Sequence, residues 1–168
     1  MEKSRRPWHV NRQDLALGGI VVLIVIADQL IKAWVKANIA LNTVFYDAGF
    51  FQIIHTQNTG VSFGLFKGHI EIIIAVVFIE ILVLLLVVYL LRNRLSFLNN
   101  MLMRTGIGLV LGGAIGNQID RLVQGHVTDF FDFKVWPAFN IADAAAVVGT
   151  IIIAYCILFR SGLSRRRK

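Results

Sequence analysis

Residues 70–91 read IEIIIAVVFIEILVLLLVVYLL, twenty-two residues in which Glu71 and Glu80 are the only charges. A helix needs about 20 residues to cross roughly 30 Å of hydrocarbon, so this run is a membrane span. Three more runs are long enough, at about 15–35, 102–122 and 141–159. The whole chain agrees, with 57% hydrophobic and 16% charged residues among 168. A soluble domain has about 45–50% and about 25%. A chain this short has no interior large enough for the excess, and a bilayer has. Residues 1–168 are therefore expected to form a single α-helical membrane domain of four spans. Basic residues precede the first run, as in a cleaved signal peptide. Its apolar part is too long for one, and no small-x-small site follows, so it stays a span.

The net charge of +7 does not point to nucleic acid, because the basic residues sit at the ends of apolar runs. Short cytoplasmic flanks carry such an excess of Lys and Arg. The N-terminal flank, the 92–104 link and the tail are rich in them, whereas the 37–69 and 123–140 links are poor. Both termini are thus expected in the cytoplasm and those two links outside. Cys156, the single cysteine, lies in an apolar run and reads as an inert buried thiol.

Ionisable residues at membrane depth are costly and point to function. Asp28 and Lys32 stand four apart on one helical face, acid first, and read as a structural ion pair. Gly108, Gly112 and Gly116 form a small-residue row that admits another helix closely. That row turns Asn117, Asp120 and Arg121 into the bundle, with Asp120 read as a polar clasp at its end. Asp129 and Asp143 flank the last outer link, and both carboxyls can reach one point at the outer rim. Two carboxyls sharing a site cannot both ionise, which gives one acid and one base for hydrolysis of an amide. Asp143 has a second reading, since Asn140 followed three residues later by an acid is a capping box. Asp129 can equally be a loop carboxylate paired with Arg121, and Asp132 is a solvated one. Glu80 suits a cation-coupled transporter better than an enzyme; it is read as interior-facing and structural.

Other catalytic signals are weaker. Gly60-Val61-Ser62-Phe63-Gly64 matches G-x-S-x-G, a motif with meaning only between strand and helix of a hydrolase sheet. The histidines at 9, 55, 69 and 126 show no metal-ligand spacing, and His126 reads as a hydrogen-bonding neighbour of the site. Alternating apolar residues from Val44 to Ile54 suggest short strands at the membrane surface. A scaffold without catalysis leaves the outer polar cluster unexplained.

Five motifs in order now carry a resemblance: Asp28-Gln29-Leu30-Ile31-Lys32, Asn58-Thr59-Gly60-Val61-Ser62-Phe63, the run 112–121 ending Asn117-Gln118-Ile119-Asp120-Arg121, Gly125-His126-Val127-Thr128-Asp129-Phe130 and Phe139-Asn140-Ile141-Ala142-Asp143. Over essentially its whole length the chain resembles the lipoprotein signal peptidases, or signal peptidase II. The resemblance implies four transmembrane helices with a small outward-facing β-sheet drawn largely from the first outer link. It implies an intramembrane aspartic endopeptidase with Asp129 and Asp143 as its catalytic dyad. Asn58, Asn117, Arg121 and Asn140 then line the site, with Asp28, Asp120, Gly60 and Lys32 counted as support. The implied substrates are diacylglyceryl-modified prolipoproteins, cut just before the lipidated cysteine at the outer face of the bacterial inner membrane. Neither metal nor organic cofactor is implied, and the expected partners are these substrates and membrane lipids.

Overall fold

The computed structural model describes residues 11–60, 69–92 and 95–160. Ser62 and most of the G-x-S-x-G run lie outside the described residues, as do the basic residues of both ends beyond 11 and 160.

Four long helices form the body: α1 (Arg12–Asn38), α2 (Ile70–Leu91), α3 (Met101–Gln124) and α4 (Ile141–Tyr155), the last running on through a π-turn at Cys156–Arg160. Three of them are long and apolar enough to cross a membrane, at Arg12–Asn38, Ile70–Leu91 and Ile141–Phe159. The exception, α3, has length to spare but not the composition, and its position explains why. It lies at the centre of the bundle against α1, α2 and α4, with Asn117, Gln118, Asp120 and Arg121 all buried. A helix wrapped by other helices has little lipid to face, so its polar groups find protein partners. The glycine row works as expected: a Cβ at Gly108 or Gly112 would run into Ile20 or Ile24 of α1, at 3.1 and 2.9 Å. On its other flank α3 meets α4, where Gly106 lies against Gly149.

Helix ends are set by side chains and by one turn. Asn11 and Asn140 each accept from the backbone N–H three residues on, and Asp14 and Asp143 reach back to the cap N–H, two complete capping boxes. Gly125 closes α3 at φ 73°, a left-handed conformation that costs glycine little. The next residues turn at once into a strand.

The sheet has three antiparallel strands in the order β1 (Val44–Asp47), β2 (Gln52–Asn58) and β3 (Val127–Asp132). Its third strand corrects the expectation that Asp129 belongs to a loop: Asp129 pairs with Thr56 of β2. Residues 127–130 are all buried, so the alternation that marks a half-buried strand is missing there. Phe130 packs with Val35 of α1 and with Ile39, the residue that caps it, which seats the sheet on the bundle. Cys156 is buried in the main apolar cluster with Met103, Ile107 and Leu111.

Glu80 also differs from expectation. It is exposed on α2 rather than interior-facing, since α2 touches the bundle along one side only. Gln118 holds that side by donating to the carbonyl of Ile74 at 2.9 Å.

Candidate active site

Asp129 enters from β3 and Asp143 from the first turn of α4, and Asn140 stands between them. Its side-chain Nδ2 donates to Asp129 Oδ1 at 2.7 Å, and its Oδ1 accepts the Asp143 N–H at 2.9 Å. Capping therefore does not compete with site-building, because one asparagine does both. Asn58, at the end of β2, donates to Asp129 Oδ2 at 3.1 Å. Asn117 of α3 donates to Asp143 Oδ1 at 2.7 Å, and its own Oδ1 accepts from Asn140 at 3.0 Å. Both oxygens of Asp129 are thus held by asparagines, where the alternative reading pairs it with Arg121.

Asp129 is 1% exposed, and burial pushes its carboxyl up to about 7, with the neighbouring Asp143 adding to the rise. The amides of Asn58 and Asn140 and the charge of Lys32 act the other way without cancelling it. A carboxyl in this range holds its proton near neutral pH and can give it up, as a general acid must.

Beside Asp143 opens a cavity of about 540 Å³, lined also by Asn58, Asn117 and Arg121 and by apolar groups that include Phe139 and Val147. Val147 and Val148 are exposed on α4, so the cavity opens onto the exposed face of that helix. Arg121 is buried, and its Nε has no hydrogen-bond partner among the described residues.

Other expected site residues fall into two groups. Asp28, Lys32 and Asp120 lie together close to Asp129 and Asp143, fully buried, with Lys32 Nζ 2.7 Å from Asp28 and 3.1 Å from Asp120. The expected pair is thus a triad. Gly60 donates its N–H to Asn58 Oδ1 at 3.0 Å and steadies that amide. Asp132 is half-buried on β3 and accepts from the Lys134 N–H at 2.7 Å. His126 is half-buried and makes no hydrogen bond among the described residues. Gln29 is a residue that sequence reasoning passed over: its amide donates to Asp28, Asp120 and the Gly116 carbonyl at 3.1–3.3 Å. It lies inside a quoted motif, and its place beside Asp28 was the available signal. No group of three His, Cys, Asp or Glu side chains able to hold a metal occurs among the described residues.

The family model for signal peptidase (SPase) II matches residues 20–159. The chain belongs to the signal peptidase II family. It is 39% identical over 140 residues to the lipoprotein signal peptidase of Dehalococcoides mccartyi strain CBDB1, covering 83% of this chain and 87% of that one. The lipoprotein signal peptidase of Moorella thermoacetica is 37% identical over 144 residues, or 85% and 93% of the two chains. A solved bacterial membrane enzyme superposes with a TM-score of 0.75 at 28% identity, over 91% of this chain and 93% of that one. As a member of the signal peptidase II family, the protein is a membrane-embedded hydrolase of bacterial lipoprotein processing.

Proposed function

We propose that Asp129 and Asp143 are the catalytic dyad and that the substrate is a diacylglyceryl-modified prolipoprotein. The observation that carries this is the bridge at Asn140, whose side chain donates to the buried Asp129 carboxyl and whose backbone N–H donates to the half-buried Asp143 carboxyl, beside a cavity that Asp143 lines. Asp143 acts as base and Asp129, its carboxyl raised to about 7, as acid. Water held between them attacks the scissile carbonyl carbon while Asp143 takes the water proton and Asp129 protonates the carbonyl oxygen. When the C–N bond breaks, the proton on Asp143 goes to the departing nitrogen, and Asp129 recovers its own from the collapsing diol. Arg121 donates to a peptide carbonyl beside the scissile bond and holds the extended segment. A signal helix and a diacylglyceryl group both partition into lipid, so membrane binding brings the bond to this depth.

The charge asymmetry of the links supports a topology with both termini in the cytoplasm and the sheet outside. In a Cys156→Ala background, a cysteine at position 47 then reacts with an impermeant thiol reagent on intact cells, and one at position 99 does not. The reverse labelling refutes this orientation.

The function itself is tested with purified protein and one prolipoprotein in two forms, with and without the diacylglyceryl group. Cleavage before the modified cysteine only is expected. Equal cleavage of both forms sinks the substrate assignment.

A further inference from the structure

Close to Asp129 and Asp143 lies a set of ions with no direct part in cleavage. Asp28, Lys32 and Asp120 are each 0% exposed. Burying ions costs several kcal/mol apiece, and replacing such a group with apolar residues is often neutral or stabilising. Stability is thus a poor reason for the triad. What its remaining hydrogen-bonding positions hold supplies a better one. Asp120 Oδ2 accepts the N–H of Thr128 at 3.1 Å, and Asp28 Oδ1 accepts the N–H of Ala142 at 3.0 Å. Thr128 and Ala142 are the residues immediately before Asp129 and Asp143. Lys32 Nζ joins the two clamping carboxyls and also donates to Asn117 Oδ1 at 2.9 Å. That bond turns the Asn117 amide so that its Nδ2 faces Asp143.

We propose that Lys32 is a positioning residue that sets the separation and facing of the Asp129 and Asp143 carboxyls. The role rests on the dyad reading above. One ammonium on α1 fixes the strand carrying one acid, the helix carrying the other, and the amide between them. Without it nothing ties the side chains at 28 and 120 and the Asn117 amide to one point, whether or not those side chains are charged, and each clamp can shift the dyad backbone it holds. A misplacement of about 1 Å at a reacting group costs on the order of 100-fold in rate.

Two variants test this. Lys32→Met removes the hub. The triple variant Asp28→Asn/Lys32→Met/Asp120→Asn removes it without burying an unpaired charge, and its amide oxygens can still accept from Thr128 and Ala142, so it folds. With a diacylglyceryl-modified prolipoprotein, kcat per folded molecule is expected to fall about 100-fold in both, with KM little changed. A structural role lowers the folded fraction alone. The pH profile gives a second readout. Charged groups facing Asp129 are Asp143 on α4, Asp120 and Arg121 on α3, and Lys32 on α1, whose charge lowers the Asp129 pKa. In Lys32→Met the alkaline limb of kcat therefore moves to higher pH. Parental kcat in the folded triple variant, or an unmoved limb in Lys32→Met, overturns the proposal. Asp129→Asn is run alongside. If it cleaves, the dyad reading itself has failed; if it is dead while the Lys32 variants turn over normally, only the positioning role has.

Discussion

The helix α3 meets an ionic cluster at each end, and the two are built to opposite plans. At one end a single ammonium, Lys32, sits between the carboxyls of Asp28 and Asp120, sealed from solvent. At the other a single carboxyl, Asp14, sits between the guanidinium groups of Arg92 and Arg104, at 3.5 and 3.2 Å, with its side chain 17% exposed. Both tie α1 to α3. They differ in what their spare hydrogen bonds reach. Those of the first hold the backbone before Asp129 and Asp143, whereas among the described residues Arg104 reaches Asn99, whose amide closes onto the Arg92 carbonyl. Three ions at a helix end can thus anchor the chain or aim a reacting group, and the neighbours decide which.

The largest effect that separates the two ends comes from the acids themselves. Asp129→Asn and Asp143→Asn are each expected to abolish cleavage while the protein stays folded and binds substrate. Asp14→Asn is expected to leave turnover per folded molecule intact and to lower stability by about 1.5–3 kcal/mol, the worth of hydrogen bonds to charged groups. Cleavage assays paired with thermal melts of the three variants measure this. If Asp143→Asn cuts normally and only melts earlier, the capping box is the whole of its role.

Much of this contrast was legible beforehand. Apolar runs marked three of the four long helices because a bilayer demands length and hydropathy, and the glycine row on α3 marked a face open to another helix because close approach demands small residues. Asp129 and Asp143 stood out because carboxyls are scarce in such a chain. Less legible was β3, whose residues 127–130 are buried throughout and show no period of two. The triad's grip on Thr128 and Ala142 was invisible, because it uses backbone N–H groups that every residue but proline possesses. Glu80 misled because a charge within an apolar helix suggests an interior, yet α2 leaves most of its circumference outside the bundle.

A smaller effect sharpens the outer end, through the pH dependence of stability. The Asp129 carboxyl rises from 3.8 to about 7 on folding. Between these values the native state keeps a proton that the unfolded chain has lost, so stability falls as pH climbs through that window. Asp129→Asn has no such proton. Its melting temperature, relative to the parent, is therefore expected to rise between pH 4 and 7 and level off above, whatever constant offset the new amide brings. The parent's kcat should decline on the alkaline side from about pH 7 upward, as the acid loses its proton. A difference that stays flat from pH 4 to 8 shows that Asp129 is ionised throughout, and the acid must then be sought in Asp143.

The smallest effect comes from Glu80, midway along α2, which belongs to neither cluster and is exposed without a partner among the described residues. An acid at the centre of a span normally marks a pathway for ions or protons. Here it faces away from α3, while the dyad, its asparagines and the triad are built from α1, α3, α4, β2 and β3 alone. No hydrogen bond among the described residues joins Glu80 to them. Glu80→Leu is accordingly expected to leave kcat and KM unchanged. Stability in a bilayer should hold or increase, since a leucine there gives up no solvation. Reconstituting parent and variant in the same lipid and comparing both constants on one lipidated substrate checks this. A large fall in kcat with an intact fold breaks the comparison between the two ends, because proton traffic would then run through the middle of α2 as well.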